Sequence, residues 1–402
     1  MIENLFFELQ QVAIGTRQSL SVAPSAKQWS ELFALSKKHA LVAIAFHGVS
    51  LLKGRSTGDD DFGSSLGIDE MTYLKWLGLT AKTAQRNKEM NAECVMLTEL
   101  LKHDGFHCCI LKGQSNLVYY PEELRECRTS GDIDVLFRSM EEPDVLDLPI
   151  RYCQERARML DEKAPHVAYH HADLAWEGTT GAEGHYRASF LCSPLRNLCL
   201  QRWLEDNMPF GVCDAKVNDC VLPVPPVSYN AIYQLLHIYK HLFEEGIGLR
   251  QLLDYYFVLR TLHIEQRSFS DRTESMAQWA EGMGVAVKSN KEIMHTLSRF
   301  GMKKFASAVM YVLQTVFAMP DEYLICQPDE KEGKFLLDEI MQAGNFGKYD
   351  ERINHNGGQF SHAIEKTKHN LRLLTHYTEE VICEPFFRIY HWIWRRFELW
   401  RY

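Results

Sequence analysis

The sequence predicts an α+β fold, with a small α/β core set between two helical regions. Three observations carry this. Residues 1–102 and 223–402 repeat apolar side chains at helical spacing. Residues 103–222 instead show short apolar runs and alternation bounded by turn residues. The Pro-rich stretch Val221–Val227, VLPVPPV, then closes the α/β segment.

In the first region, Trp29, Leu32, Phe33 and Leu35 lead into Ala40, Val42, Ile44 and Ala45 at helical spacing. The segment Gly54–Gly67 is a Gly/Ser/Asp loop, and residues 69–102 form a long amphipathic helix that runs into the first strand. That strand is Phe106–Leu111. Gln114–Tyr120 reads as a short helix or turn, Arg125–Gly131 as a polar loop, Asp132–Phe137 as the second strand, and His166–Trp176 as the third. In the last region Ser228 is a plausible N-cap. Ile232, Leu235, Leu236, Tyr239, Leu242 and Phe243 make one apolar stripe, Gly246 and Gly248 break it, and Leu249, Leu252, Leu253, Tyr256 and Leu259 make the next. No repeat of fixed period is present.

With 402 residues the chain has room for two or three domains. A net charge of -9 argues against a dedicated binder of long nucleic acid, which carries a basic excess. The 11 Cys are odd in number and lack CxxC pairs, which fits reduced thiols in a cytoplasmic protein. The N-terminus has no basic segment before an apolar run, so no signal peptide is expected, and no apolar run reaches membrane-spanning length.

The chemistry concentrates in Ile110–Phe137. Asp132 and Asp134 stand at i and i+2 in an otherwise apolar strand, so they share one face about 6–7 Å apart, while Ile133, Val135 and Phe137 take the other. Asp is depleted in strands, and two adjacent anions there call for a cation; hard oxygen ligands favour Mg²⁺. Gly131 permits close approach just before the pair. In the third strand Asp173 is a candidate third carboxylate, weighed evenly against a loop or capping Asp. Lys112 and Ser115, beside the Gly113 turn, are candidates for phosphate contact, as is Arg128; the bland alternatives are a snorkelling Lys and a solvated loop Arg. On the helix from residue 228, His237, Lys240, His241 and Glu244 fall together opposite the apolar stripe, as a cleft wall with Lys240 on phosphate or as a solvated polar face. Arg250 and Asp254 are spaced for an i,i+4 ion pair. At the C-terminus, Phe386, Tyr390, Ile393, Phe397 and Trp400 form a stripe accompanied by Arg388, Arg395, Arg396 and Arg401. It is read as a helix docked on the core or on a second subunit in preference to a membrane-surface helix.

Several blocks resemble an uncharacterised bacterial nucleotidyltransferase family of the DNA polymerase β-like superfamily. They are ILKG at 110–113, Tyr120-Pro121, Arg128, GDIDVLF at 131–137, ADLAW at 172–176, LHIYKHLFEEGIGLRQLLD at 236–254 and GNFG at 344–347. WSELFALSKKHALV at 29–42 also matches that family's leading helices. The resemblance implies a small mixed-sheet nucleotidyltransferase core over 103–222, flanked by an N-terminal helical region (1–102) and a C-terminal helical domain (223–402) that closes the cleft. It also implies transfer of a nucleoside monophosphate from an NTP, with ATP the first expectation, to an acceptor hydroxyl on a small molecule or protein. Asp132 and Asp134 would bridge two Mg²⁺ ions, and Asp173 would bind the catalytic metal and help deprotonate the acceptor. Lys112, Gly113, Ser115, Arg128, Gly131 and Lys240 would hold the nucleotide. The sequence departs from the pattern twice: Gly113 is followed by Gln114, with a long interval to Asp132, and the His expected two residues after the third acid is Ala175. The first departure favours a rival expectation, a catalytically impaired nucleotide-binding or protein-interaction module on the same fold. A homo-oligomer formed through the C-terminal helix is a further expectation.

Overall fold

A computed structural model describes residues 2–54, 66–211, 214–270, 287–350, 352 and 359–397. Most of the 54–67 loop, together with Trp400 and Arg401, lies outside them. Helices α1 (Ile2–Ala13), α2 (Ala26–Lys38) and α3 (Val42–Gly54) precede the long α4 (Glu70–His103). Asp69 starts α4 by accepting the Thr72 N–H at 2.9 Å, satisfying one of the free donors of a helix start.

The central sheet contains β1 (Phe106–Ile110), β2 (Ile133–Ser139), β3 (His171–Leu174) and β4 (Ala182–His185), in the order β1-β2-β4-β3. β2 is antiparallel to β1 and parallel to β4, and β3 is antiparallel to β4, so the sheet is mixed. A 3₁₀ turn (Gly113–Tyr119) and the short α5 (Glu122–Arg125) connect β1 to β2, and α6 (Asp147–Met159) follows β2. After α7 (Pro194–Asp206), a hairpin of β5 (Asp214–Val217) and β6 (Cys220–Pro223) leads to α8 (Val227–Glu244) and α9 (Leu249–Ser270). The remaining described helices are α10 (Asn290–Arg299), α11 (Lys303–Phe317), α12 (Glu330–Ala343), α13 (Gln359–Leu373) and α14 (Thr378–Phe397). None of the described helices is long and apolar enough to cross a membrane.

Alternation sorts β2 between two cores. Ile133, Val135 and Phe137 pack with Met90, Cys94, Leu97 and Leu101 of α4 and with Ile150 and Cys153 of α6. Leu136, on the carboxylate face, joins the larger core built by α1–α3, α8, α9 and α11. The N- and C-terminal helical regions therefore share one hydrophobic core, and Gln11 of α1 donates to the Val316 carbonyl of α11 at 3.1 Å. α4 serves both cores, with Trp76 in the helical one and its last three turns under the sheet.

The predicted third strand is divided. Only His171–Leu174 of the stretch 166–176 forms a strand, with Val167 joined to Ala172 by an isolated bridge, and β4, absent from the sequence expectation, lies between it and β2. β4 reads Ala-Glu-Gly-His, none of them a strong strand former. It is extended because it is hydrogen-bonded on both sides, and a Cβ on Gly184 would meet the Phe137 ring at 2.7 Å. Ser228 is not the cap of α8, which starts at Val227 after Pro226; its Oγ accepts the Lys288 N–H instead.

Candidate active site

Sheet register builds the site. Asp134 on β2 is opposite Glu183 on β4, and Glu183 is opposite Asp173 on β3. Residues directly opposite point to one face, so three acids form a row with Glu183 in the middle. Asp132 enters on the same face from the end of β2. Asp134 is buried, its side chain 2% exposed, and its Oδ1 lies 3.1 Å from Lys112 Nζ and 2.9 Å from His185 Nε2. His185 Nε2 is also 3.5 Å from Glu183 Oε2. One ligand atom each of Asp134, Glu183 and His185 lies within 4.8 Å of the others.

The charges explain the protonation of the group. Asp132 is raised above the usual carboxylate range, first by the adjacent Asp134 charge and then by burial. Burial alone would raise Asp134 and Glu183 as well. Lys112 and His185 outweigh it at Asp134, and the hydrogen bond and charge of His185, with His171 and Lys112 adding, outweigh it at Glu183, so both end below the usual range. Burial pulls Lys112 down, but Asp134, Asp132 and Glu183 more than reverse this. His185 is likewise raised, its two carboxylate partners overcoming desolvation. His171 goes the other way, lowered to about 3 by burial and by the neighbouring His185.

The third acid beside the pair is Glu183, not Asp173. Asp173 is two strand spacings from Asp134, about 9.6 Å in the backbone. Its Oδ2 accepts the His166 N–H at 3.0 Å, and its ligand atoms group with His166 and His171. It still lines an open cleft with Asp132 and Glu183. The sequence did hold a signal for Glu183: Glu183-Gly184-His185 is an acid followed two residues later by His, the spacing sought and missed at Asp173 and Ala175.

The other predicted contacts divide. Lys112 and Gly113 belong to the site. Gly113 has φ +62°, a conformation that favours glycine, and its turn backs on the Asp132 carbonyl. Ser115 does not face the cleft: it is fully buried and its Oγ donates to the Leu111 carbonyl at 2.5 Å. Gln114, the departure from the expected turn, is a tether to α4, its Nε2 donating to Asn91 Oδ1 at 2.6 Å. Arg128 is paired within the chain. Its Nε and Nη2 bond both Asp254 oxygens at 2.8 and 2.7 Å, the pair is buried, and Tyr120 donates to the same carboxylate. The expected Arg250–Asp254 pair is therefore replaced, and Arg250 donates to the Thr129 carbonyl. These bonds anchor the long interval between Gly113 and Asp132, as does Asn87 of α4, which donates to the Glu126 and Arg128 carbonyls. Gly131 is exposed at the entry to β2, with open space where a side chain would project.

α8 forms the facing wall. Lys240 Nζ lies 2.6 Å from His170 Nε2 and 3.6 Å from Glu244, and burial, followed by Lys112, lowers its affinity for a proton against the pull of Glu244. His237 and His241 are held far below the usual imidazole range by burial and then by Lys112. The GNFG turn docks tightly on the α8–α9 break, where a Cβ on Gly248 would meet Asn345 Cα at 2.9 Å. This brings the Phe346 ring to 5.2 Å from His241 and 5.3 Å from the Arg250 guanidinium.

Three carboxylates on a strand pair, one lysine between them and a wall of histidine, lysine and arginine form a centre suited to a polyanion and a divalent cation. No curated protein and no solved structure matches the chain. Residues 25–279 match the family described as an uncharacterised nucleotidyltransferase, a span that holds the whole sheet together with α8 and α9. The chain belongs to this nucleotidyltransferase family.

Proposed function

We propose that the protein is a metal-dependent nucleotidyltransferase that moves a nucleoside monophosphate from an NTP to an acceptor hydroxyl. The observation that carries this is the Asp132–Asp134–Glu183 group. Asp134 and Glu183 stand opposite each other on β2 and β4, Asp132 shares their face, and Lys112 Nζ lies 3.1 Å from Asp134 Oδ1. Such an excess of oxygen-centred charge fits Mg²⁺. Asp132, Asp134 and Glu183 would hold the ions, and His185 orients two of them through its contacts at 2.9 and 3.5 Å. When bound, the metal supplies charge neutralisation at the α-phosphate and at the departing pyrophosphate.

The chain's own groups do the rest. Lys112 neutralises the triphosphate, with Gly113 and Gly131 allowing the backbone to approach it, while Lys240, first expected on phosphate, is held by Glu244 and His170 on the acceptor side. The acceptor oxygen bonds to the α-phosphorus, the bond from that phosphorus to the oxygen bridging to the β-phosphate breaks, and pyrophosphate departs with that electron pair. Glu183 takes the acceptor's hydroxyl proton, the role first expected of Asp173. ATP is the first nucleotide to test. Purified protein is titrated with each NTP with and without Mg²⁺, and pyrophosphate release is followed with pooled metabolites as acceptors. Mg²⁺-dependent binding and release, both lost in Asp132→Asn/Asp134→Asn, is the expected result. Binding that ignores both Mg²⁺ and the double substitution would remove the enzyme reading. Mg²⁺-dependent binding without release would favour the non-catalytic module, a reading that the inward-turned Gln114 and Ser115 support.

A further inference from the structure

Two adjoining cavities lie on the β3 side of the site, and neither takes part in the chemistry above. The inner one, about 260 Å³, is walled by His170, His171 and Lys240 from the site, by the aromatic rings of Phe190 and Phe387, and by Glu384. His171 Nδ1 is 3.7 Å from Glu183 Oε2, so this wall stands directly beside the proposed base. The remaining charges lining the cavity balance: Glu384 pairs with Arg388 and Lys366, Lys240 pairs with Glu244, and Glu380 accepts the Cys192 and Ser193 N–H groups. His170 is 5% exposed, and its Nδ1 is buried without a hydrogen-bond partner. Such a lining suits an uncharged, hydroxyl-bearing group, which bonds to paired polar groups without separating them and lays its C–H faces on aromatic rings. Its volume suits a small head group, not a peptide segment or an RNA end.

The outer groove, about 550 Å³, shares Tyr169, Leu191, Cys192 and Phe387 with the inner cavity and is otherwise mainly apolar, with Pro194, Leu198, Cys383 and Phe386. It emerges on an unusually apolar surface. Leu195 is 76% exposed and Phe386 69%, and Ile382, Ile389 and Ile393 continue the stripe along α14. The other face of α14 is already docked, Phe387 stacking on Phe190 and Trp394 meeting Tyr169.

Resting on the function proposed above, we infer that the acceptor is an amphiphile. Its neutral hydroxylated head occupies the inner cavity beside Glu183, and its hydrocarbon chain lies in the outer groove and along the exposed stripe of α14. The continuity of a polar cavity at the reaction centre with an apolar groove leading to an exposed apolar face selects this occupant. The transfer step is unchanged, the head group's hydroxyl being the oxygen that attacks.

The test uses the full chain with Mg²⁺ and a non-hydrolysable ATP analogue, and octyl glucoside below its micelle concentration, glucose and an alkyl trimethylammonium salt as probes. Calorimetry is expected to show octyl glucoside binding at least tenfold tighter than glucose and tenfold tighter than the hydroxyl-free amphiphile. Leu198→Glu and Phe386→Glu, both at exposed positions, should bring octyl glucoside down to the glucose value and leave the affinity for the analogue unchanged, with unfolding temperatures matching the parent chain. Equal binding of glucose and octyl glucoside, equal binding of the two amphiphiles, or indifference to both substitutions overturns the inference. The function itself is judged separately, by the Mg²⁺ dependence of analogue binding and its loss in Asp132→Asn/Asp134→Asn.

Discussion

Two charge clusters, both anchored in the stretch between residues 112 and 134, have opposite characters. Arg128 and Asp254 close on each other with two hydrogen bonds, Tyr120 completes the carboxylate's shell, and the result is a neutral clamp between the β1–β2 connection and α9. Asp134 has a lysine and a histidine, but Asp132 and Glu183 crowd the same ammonium, and the group faces an open cleft. Closed pairing specifies a fold. Incomplete pairing beside open space leaves a charge demand for a ligand to meet. Residue type does not distinguish the two, since both are acids with an adjacent base.

This contrast can be broken at either cluster. The largest effect is expected at the open one, where Glu183→Gln lowers pyrophosphate release by roughly a hundredfold or more, as loss of an electrostatic transition-state group does. Its thermal unfolding should fall as well, because His185, His171 and Lys112 stabilise the Glu183 charge in the folded chain; pyrophosphate release kept at the parent level would reverse the assignment. At the closed cluster, Arg128→Ala should cost about 3–5 kcal/mol in denaturant unfolding by stranding the Asp254 charge, and Arg128→Met/Asp254→Leu should recover much of it. If Arg128→Ala instead leaves stability intact and weakens NTP binding, the original phosphate assignment of Arg128 returns.

A third buried group sharpens the comparison without any ion pair. His39 is fully buried against Phe6, neither ring nitrogen has a partner, and burial followed by Lys38 lowers its pKa to about 3. Its folded pKa is below the unfolded value near 6.5, so above 6.5 it is neutral in both states and pH-independent. Between 6.5 and 3 the unfolded chain binds the proton and the folded chain does not, so stability falls as pH falls, by about 1.4 kcal/mol per unit. His39→Phe should therefore narrow the loss between pH 7 and pH 5 by roughly 2 kcal/mol, and identical slopes in the two proteins would show that the imidazole titrates freely. The smallest effect belongs to Asp173→Asn, expected to change turnover within about twofold, because its carboxylate already accepts the His166 N–H at the rim of the cleft. A loss matching that of Glu183→Gln would restore Asp173 as the third acid.

How much was legible follows from how local each signal was. Asp132 and Asp134 could be placed on one face because strand alternation is a property of the backbone, and Gly113 could be read as a turn because φ +62° favours glycine. The long α4 was legible from its periodicity within two residues at each end. β4 was not, because Ala-Glu-Gly-His has no intrinsic reason to be extended and becomes a strand through hydrogen bonds to β2 and β3. Losing β4 meant losing Glu183 and His185, and the third acid was assigned to the nearest visible strand.

The sequence by itself determined which residues carry charge, where helices and the acid-bearing strand run, and the family, since all are encoded in local spacing and composition. Only the tertiary structure decided which charges meet. Whether Arg128 faced phosphate or Asp254 depended on where α9 packs, 126 residues along the chain. Whether Asp173 or Glu183 stood beside Asp134 depended on the order of strands in the sheet. Electrostatic partnership depends on distance in space and on exclusion of water, and neither is a function of separation along the chain.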